Sequence, residues 1–331
     1  MINYDIEIEN AEKYNVIAFS DIYDYRSTPF EDLISLYYTF CRENLNINSR
    51  KVNISPNVLI FTNHYSSNAL AKLDNGIFSI SINLGLLRKC NSNFLENERL
   101  DNYIEEKFGE LISPLDNKIS GLGFQIATNF TYYHELAHLL QFTKRNEKNT
   151  LQERVKQTSN YDEEKHILEI NADSFASIAL ASHITQYLEK SYNSTLNKEI
   201  AEDVITILGA CLLNHIANFY SDISSIYLKD HSHPHPFLRI FNSILSLSNY
   251  LNQSEFLEER NIELNMYKIF KNILDFYEEL ESNKIFDTKF TDAMNNGAKI
   301  QNEISTYLGH LVEFNIPSYN NALEIWNKLL E

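Results

Sequence analysis

Two histidines and a glutamate lie close together in the segment His134-Glu135-Leu136-Ala137-His138. Residues four apart lie one above the other on the same face of a helix, so both imidazoles can bind one metal ion. Glu135 is offset around the helix and can reach a water on that ion without occupying a coordination position. Zinc lowers the pKa of such a water to about 7, and a glutamate can take its proton as the water attacks a carbonyl. The segment therefore predicts metal-assisted hydrolysis with Glu135 as the general base.

The HExxH pattern formed by these residues is typical of zinc metalloproteases. Its neighbours are mostly apolar, and both Ile126–Tyr133 before it and Leu139-Leu140 after it fit a buried helix. Burying imidazoles and a carboxyl group costs free energy unless a partner compensates them, and a metal ion would do so. The alternative is a partly exposed helix that carries the two histidines by coincidence.

A second segment, His166–Asp173, supplies carboxylates for the same site. Catalytic zinc takes three protein ligands and leaves the fourth position open for water. Glu169 and Asp173 are four residues apart and therefore share one helix face. We expect Glu169 to complete the metal site and Asp173 to accept a hydrogen bond from a ligand imidazole, which would fix the orientation of that ring.

Two alternatives to this ligand set remain. His166 lies three residues before Glu169 and could share its face, although its place at the beginning of the helix favours a structural role. Glu169 and Asp173 could also be ordinary exposed acids, but most of their neighbours are apolar. The metzincin ligand set is excluded, because it requires Gly and then His where this chain has Gln141 and Lys144.

A third segment combines histidine with proline, His233-Pro234-His235-Pro236, and is followed by Arg239. The prolines stiffen a loop and start a helix. We expect His233 to lie near the metal and to donate a hydrogen bond to the oxyanion or to bound peptide. Arg239 would then tie the loop to an inner carboxylate. The alternative is a loop at a helix start with surface histidines.

Taken in order, the three segments HELAH, LEINADSFA and HPHPFLRI resemble the gluzincin peptidases. Within that class they are similar to the HtpX and CAAX-prenyl-protease group with its soluble relatives, and to the phage-exclusion peptidase family typified by Lit. The resemblance covers about residues 132–240, roughly a third of the chain. It implies zinc ligands at His134, His138 and Glu169, the base at Glu135, and an outer partner at Asp173.

The resemblance also bears on the substrate. His233 matches the His of the family's His-Pro block, a substrate-side residue, and Arg239 matches its Arg. Lit-like proteins are cytosolic and cleave a translation elongation factor during phage infection, so the resemblance implies a protein substrate and a similar host-defence role. No spanning segment like those of the membrane relatives is expected here, which argues against a lipidated or membrane substrate.

The composition limits the kind of partner. With 45 acidic and 28 basic residues among 331, the chain has a formal net charge of −17 and a pI near 5.0. Such an acidic surface repels phosphate backbones, so we expect no nucleic-acid partner. The three cysteines, Cys41, Cys90 and Cys211, form no CxxC spacing and fit a reducing compartment.

Two further features concern targeting. The N-terminus is acidic and lacks the cationic start and apolar block of a signal peptide. The most apolar window, Val204–Leu213, is too short to span a bilayer and predicts a buried helix. We therefore expect a cytoplasmic protein without a membrane partner.

The pattern of elements predicts a mainly α fold with a small antiparallel β-sheet (α+β). Asn57–Thr62, Ala69–Leu73 and Ile77–Ile82 are predicted strands, and the turn Asp74-Asn75-Gly76 predicts a hairpin. Helices are predicted at Glu31–Cys41, Leu122–Phe142, about Asp162 to Leu188, Lys198–Leu228, Phe237–Leu251, Glu255–Glu281, Ala293–Leu311 and Asn320–Leu330.

We divide the chain into an N-terminal α+β region (1–118), a zinc-peptidase helical core (119–245) and a C-terminal helical region (246–331) packed on that core. The expected function is zinc-dependent endopeptidase activity on a cytosolic protein. The alternative is a sensor or regulatory module that uses zinc for recognition, and a third reading is an all-helical interaction protein without metal.

Overall fold

The computed structural model describes residues 3–143, 161–219 and 226–313 together with Glu324. Helices make up most of it, which confirms the prediction of a mainly α fold. The helix predicted at Asn320–Leu330 lies outside the described residues, apart from Glu324.

The helices are α1 (Tyr4–Lys13), α2 (Glu31–Val52), α3 (Leu84–Cys90), α4 (Glu98–Ile112), α5 (Ile119–Phe142), α6 (Glu163–Tyr192), α7 (Lys198–Ala217), α8 (Pro236–Leu251), α9 (Glu255–Glu258), α10 (Met266–Ser282), α11 (Thr291–Lys299) and α12 (Gln301–Glu313). The strands are β1 (Asn57–Thr62), β2 (Ala69–Asp74) and β3 (Ile77–Asn83).

The described residues form two compact units. The first contains α1, α2 and the three strands and takes its residues from the ranges 1–89 and 131–156. The second contains α4 and α6 to α12 and takes its residues from the ranges 90–130 and 157–313. The boundary at residue 130 falls within the continuous helix α5. The division of the chain at residues 118 and 245 stays a prediction.

The sheet has the strand order β1–β3–β2, with β3 in the centre. β2 and β3 form the predicted antiparallel hairpin, and its turn residues Asn75 and Gly76 both have positive φ (51° and 78°), as a two-residue turn between twisted strands requires. β1 runs parallel to β3, so the sheet is mixed rather than wholly antiparallel. The chain reverses direction twice, once between β1 and β2 and again at the hairpin, so β3 runs in the same direction as β1, beside which it pairs.

Side chains of α1 cover the outer edge of β1. The hydroxyl of Tyr4 accepts a hydrogen bond from the Phe61 N–H at 3.0 Å, and the carboxylate of Glu7 accepts one from the Leu59 N–H at 2.9 Å. Burial raises the pKa of Glu7, and the guanidinium of Arg42, 3.2 Å away, opposes this shift. This edge is therefore occupied by side chains and not offered to a further strand.

Helix α7 is a core helix. It has 20 residues and is long and apolar enough to cross a membrane by length and composition, which the shorter window in the sequence did not indicate. Of its apolar window, 89% is buried inside the protein, and the prediction of a buried helix at Val204–Leu213 is confirmed. Its Gly209 allows α10 to approach closely, because a Cβ at that position would lie 2.4 Å from Cδ1 of Ile273.

Asparagines set several helix boundaries that the sequence analysis placed elsewhere. Helix α2 continues past its predicted end and stops at Asn53, which adopts a left-handed conformation with φ of 58°. The helix predicted at Glu255–Glu281 is interrupted: Asn261 also has positive φ (52°), and the side chain of Asn265 caps the new helix α10. Apolar residues recur at helical spacing on both sides of this interruption, in α9 and in α10, so periodicity alone did not reveal the break.

Two other predicted helices were too long. The stretch Ala293–Leu311 forms α11 and α12, which are separated at Ile300, where φ of −118° and ψ of 28° are not helical. The helix predicted at Lys198–Leu228 ends at Ala217. There the Asn218 side chain donates a hydrogen bond at 2.6 Å to the Asn214 carbonyl, which also accepts one from the Asn218 backbone N–H at 3.2 Å.

Candidate active site

Helix α5 is buried along most of its length. At its start, the carboxylate of Asp101 accepts hydrogen bonds from the backbone N–H and the hydroxyl of Ser120, at 2.8 and 2.7 Å. His134, Glu135 and His138 lie in its second half and are only 4%, 2% and 2% exposed. The structure therefore does not show the partly exposed helix that was the alternative for this segment.

Polar and aromatic residues of α2 hold this half of α5. The hydroxyl of Tyr132 donates to Oδ1 of Asn44 at 2.9 Å, and the same oxygen accepts a hydrogen bond from Asn48 at 2.7 Å. Phe40 packs edge-to-face on both Tyr132 and Tyr133. Burial raises the pKa of Tyr132, so its hydroxyl keeps the proton that it donates. These contacts fix the rotation of α5 about its axis and with it the direction of the two histidines.

The two imidazoles converge. Their Nε2 atoms are 3.0 Å apart, and the rings are perpendicular to each other. Two imidazole nitrogens bound to one tetrahedral zinc ion, each at about 2.0–2.1 Å, would be roughly 3.3 Å apart. The observed separation between His134 and His138 is therefore close to the one that a shared metal ion requires.

His138 is oriented by Gln141, one turn further along α5. Its Nδ1 lies 2.8 Å from Oε1 of Gln141. The amide oxygen can only accept, so Nδ1 carries the proton and Nε2 keeps its lone pair. Outer acceptors of this kind commonly fix the tautomer of metal-binding histidines. This role of Gln141 was not predicted from the sequence, although its position three residues after His138 places it on the same helix face.

Replacing Gln141 by leucine is expected to lower the affinity for a divalent metal ion by about 10–100-fold, because His138 loses the acceptor that fixes its tautomer. Gln141→Glu keeps an acceptor of nearly the same shape and is the matched control. Competition with a chelator of known affinity measures the change. Equal affinities for wild type and Gln141→Leu would show that the contact does not orient His138.

Glu169 joins the two histidines. One ligand atom from each of His134, His138 and Glu169 lies within 4.8 Å of the other two, and all three residues are buried. Two imidazole nitrogens and one carboxylate oxygen form a donor set found in catalytic metal sites, and it leaves a coordination position open. The group can therefore hold a metal ion.

The guanidinium of Arg239 links two carboxylates at this site. Its Nε and Nη2 donate to the two oxygens of Asp173, each at 2.8 Å, and Nη2 lies 3.7 Å from Oε2 of Glu169. The three side chains are at most 5% exposed. A bidentate, charge-assisted pair fixes both orientation and distance, so Arg239 holds Asp173 firmly and lies beside the third ligand.

Further polar residues of α8 dock this helix on α6. The amide of Asn242 donates to the Ile170 carbonyl at 3.1 Å and to the Ser174 hydroxyl at 2.9 Å. The hydroxyl of Ser246, one turn on, lies 3.1 Å from that of Ser174. Because Arg239 shares this face of α8, the docking sets the register that brings it to its carboxylates.

Charge balance also favours a cation. Glu135, Glu169 and Asp173 bury three carboxyl groups in this part of the protein, and Arg239 offsets the charge of one. Buried ionised carboxylates require positive partners, because water no longer solvates them. A divalent cation is a positive partner that buried carboxylates can bind, so both the geometry and the chemistry of these residues fit a divalent metal ion.

The His-Pro segment forms the beginning of α8. Nδ1 of His235 accepts a hydrogen bond from the Phe237 N–H at 3.0 Å, and Pro236 takes the first helical position. His233 is 8% exposed, and its Nδ1 lies 3.0 Å from the Ser232 hydroxyl. The alternative of surface histidines thus does not hold for His233 and His235. The contact of His233 with substrate stays a prediction.

Two predicted roles of α6 residues can be compared with these contacts: His166 as a rival metal ligand, and Asp173 as a hydrogen-bond partner of a ligand imidazole. Both ring nitrogens of His166, the rival ligand, are engaged elsewhere: Nε2 with the His231 carbonyl and Nδ1 with the Tyr307 hydroxyl, each at 2.9 Å. Asp173 is held by Arg239, and its predicted hydrogen bond to a ligand imidazole stays a prediction.

The family model of Peptidase U49, which comprises Lit-like peptidases, matches residues 117–259. The matched range is less than half of the chain and contains all seven residues that the sequence analysis assigned to the site. The match indicates a peptidase. No curated protein and no solved structure matches the chain.

Proposed function

We propose that the protein is a zinc-dependent endopeptidase of the gluzincin type. The observation that carries this proposal is the buried group of His134, His138 and Glu169, with its ligand atoms within 4.8 Å of one another. The match to Peptidase U49 supports the class of reaction. Glutamate in the third ligand position supports the gluzincin type, in which a following helix supplies that carboxylate.

Glu135 is the proposed general base. Zinc held by the three ligands would polarise the carbonyl of the scissile bond and lower the pKa of a coordinated water to about 7. Glu135 follows His134 and lies about 100° from it around the helix axis, so it reaches the reacting centre without being a ligand. Its carboxylate takes the proton of the attacking water and passes it to the leaving amine.

The neighbouring residues keep this arrangement in place. Gln141 fixes the tautomer of His138, and Arg239 keeps a positive charge beside Glu169. We assign to His233 a hydrogen bond to the substrate carbonyl oxygen, where negative charge develops during attack.

We further propose that the substrate is a protein met in the cytoplasm. The three cysteines are all buried thiols, as is usual in a protein of a reducing compartment. The net charge of −17 would attract a basic segment of a substrate over a longer range than direct contacts do. The resemblance to the Lit family supports a role in defence against phage.

The burial of the whole group favours a second candidate function. His134, His138 and Glu169 are each at most 4% exposed, and buried zinc sites also occur where zinc is structural or regulatory. The protein would then be a zinc-binding sensor or regulatory module without proteolytic activity. Zinc bound at His134 and His138 without cleavage of any protein would favour this function over the peptidase.

Removal of the metal tests the proposal directly. Chelation is expected to abolish hydrolysis, and stoichiometric zinc should restore it, because the chain's own residues cannot polarise the scissile carbonyl in the same way. New N-termini in a cell lysate, identified by mass spectrometry, measure hydrolysis, and elemental analysis measures zinc. His138→Ala is the matched variant that zinc should not restore. Undiminished cleavage by chelated, zinc-free protein would refute the metal-dependent reaction.

A further inference from the structure

Helix α12 contacts the beginning of α6 at two points one turn apart. The hydroxyl of Tyr307 lies 2.9 Å from Nδ1 of His166, and Nε2 of His310 lies 2.8 Å from a carboxylate oxygen of Glu163. The first pair is buried, with His166 at 0% and Tyr307 at 5% exposed, whereas the second is largely open to solvent. Only the first contact is therefore protected from exchange with water.

The buried contact has a defined direction. The other ring nitrogen of His166, Nε2, lies 2.9 Å from the His231 carbonyl oxygen, which can only accept. Nε2 must therefore carry a proton. Burial lowers the pKa of His166 to about 4, so the ring is neutral near pH 7 and Nδ1 accepts from Tyr307. Tyr307 donates to His166, and His166 donates to the backbone at His231.

The loop of residues 226–235, which contains His231, has a second contact with the same tyrosine. The Lys229 ammonium lies 5.6 Å from the ring centre of Tyr307 and 5.7 Å from that of Tyr161. The hydroxyls of these tyrosines are 3.2 Å apart. An ammonium group over aromatic faces is attracted by their quadrupoles. Tyr307 thus holds the loop at Lys229 directly and at His231 through His166.

This loop leads into the proposed active site. It carries His233 and His235, the latter capping α8, and Arg239 follows in the first turn of that helix. His166 lies one turn before the proposed ligand Glu169 on α6. We propose that Tyr307 and His166 are positioning residues, through which α12 fixes the loop and the start of α8 for the reaction. The effect on rate rests on the proposed peptidase function, whereas the effect on the loop does not.

Hydrogen–deuterium exchange tests the proposal independently of activity. In the full-length protein, Tyr307→Phe is expected to make the amides of residues 227–233 exchange roughly three- to tenfold faster, because a buried hydrogen bond is lost. His310→Ala removes the exposed contact of the same helix, and Tyr267→Phe removes a hydroxyl from a tyrosine that is 69% exposed. Both controls should leave the loop unchanged. Equal exchange in Tyr307→Phe and wild type, or the same acceleration in His310→Ala, would overturn the proposal.

Kinetics separate a positioning role from general stabilisation. Tyr307→Phe is expected to lower kcat severalfold while zinc affinity stays within about twofold of wild type. His166→Gln keeps a donor for the His231 carbonyl, so its exchange and kcat should be closer to wild type than those of His166→Leu. An unchanged kcat in a variant whose loop exchanges faster would show that the position of the loop does not affect the reaction, and would refute this part of the proposal. If wild type hydrolyses nothing, the proposed function fails, and the exchange experiment alone decides whether α12 holds the loop.

Discussion

Glu135→Gln is expected to lower kcat for peptide hydrolysis by about 10²–10⁴-fold, the usual contribution of a general base. The amide has nearly the same shape as the carboxylate but cannot take a proton from water at neutral pH. Glu135 is not part of the group of ligand atoms, so zinc content should equal that of wild type. KM should change little, because the substitution removes an interaction made mainly in the transition state. Progress curves on the protein cleaved in the lysate measure kcat and KM.

Two variants sharpen this experiment. Glu105→Gln removes an exposed carboxylate from α4 and should leave the rate unchanged. Glu135→Asp keeps the base but shortens the side chain by one methylene group, so its rate should lie between those of Glu135→Gln and wild type. A rate for zinc-loaded Glu135→Gln close to wild type would place the base elsewhere. Cleavage lost together with zinc would show instead that Glu135 supports the metal site.

Helix geometry explains how much of the candidate site could be predicted. The spacing of His134 and His138 places both rings on one face in any helix, and apolar neighbours predicted that the helix is buried. The same rule placed Glu169 and Asp173 together on α6. The same rule also pairs Gln141 with His138, although position 141 was considered above only as the place of the metzincin glycine.

Contacts distant in the sequence could not be predicted in this way. Tyr307 and His166 are separated by 141 residues, and no periodic pattern connects them. Likewise, the runs of β1 and β3 predicted strands but did not specify parallel pairing, which depends on the path of the chain between them. The interruption at Asn261 depends on a backbone conformation that asparagine tolerates but does not require.

The ion pair of Arg239 has the largest expected effect on stability. Its guanidinium makes two hydrogen bonds of 2.8 Å to Asp173, whose side chain is fully buried, and lies 3.7 Å from Glu169. Removing one partner of such a pair leaves an uncompensated charge away from water. Exposed ion pairs lack this penalty, because water replaces the lost partner.

Arg239→Met is therefore expected to lower the free energy of unfolding by about 3–5 kcal/mol. Arg239→Met combined with Asp173→Leu should recover much of that loss, because the second substitution removes the stranded carboxylate. Arg239→Lys should recover only part of it, since an ammonium group cannot reproduce the bidentate geometry. Asn242→Ala removes neutral hydrogen bonds one turn away and is the variant for comparison, with an expected loss in the free energy of unfolding of about 1–2 kcal/mol. Urea denaturation of the four variants and wild type measures these differences. If Arg239→Met loses no more free energy of unfolding than Asn242→Ala does, the buried carboxylate of Asp173 has another effective partner.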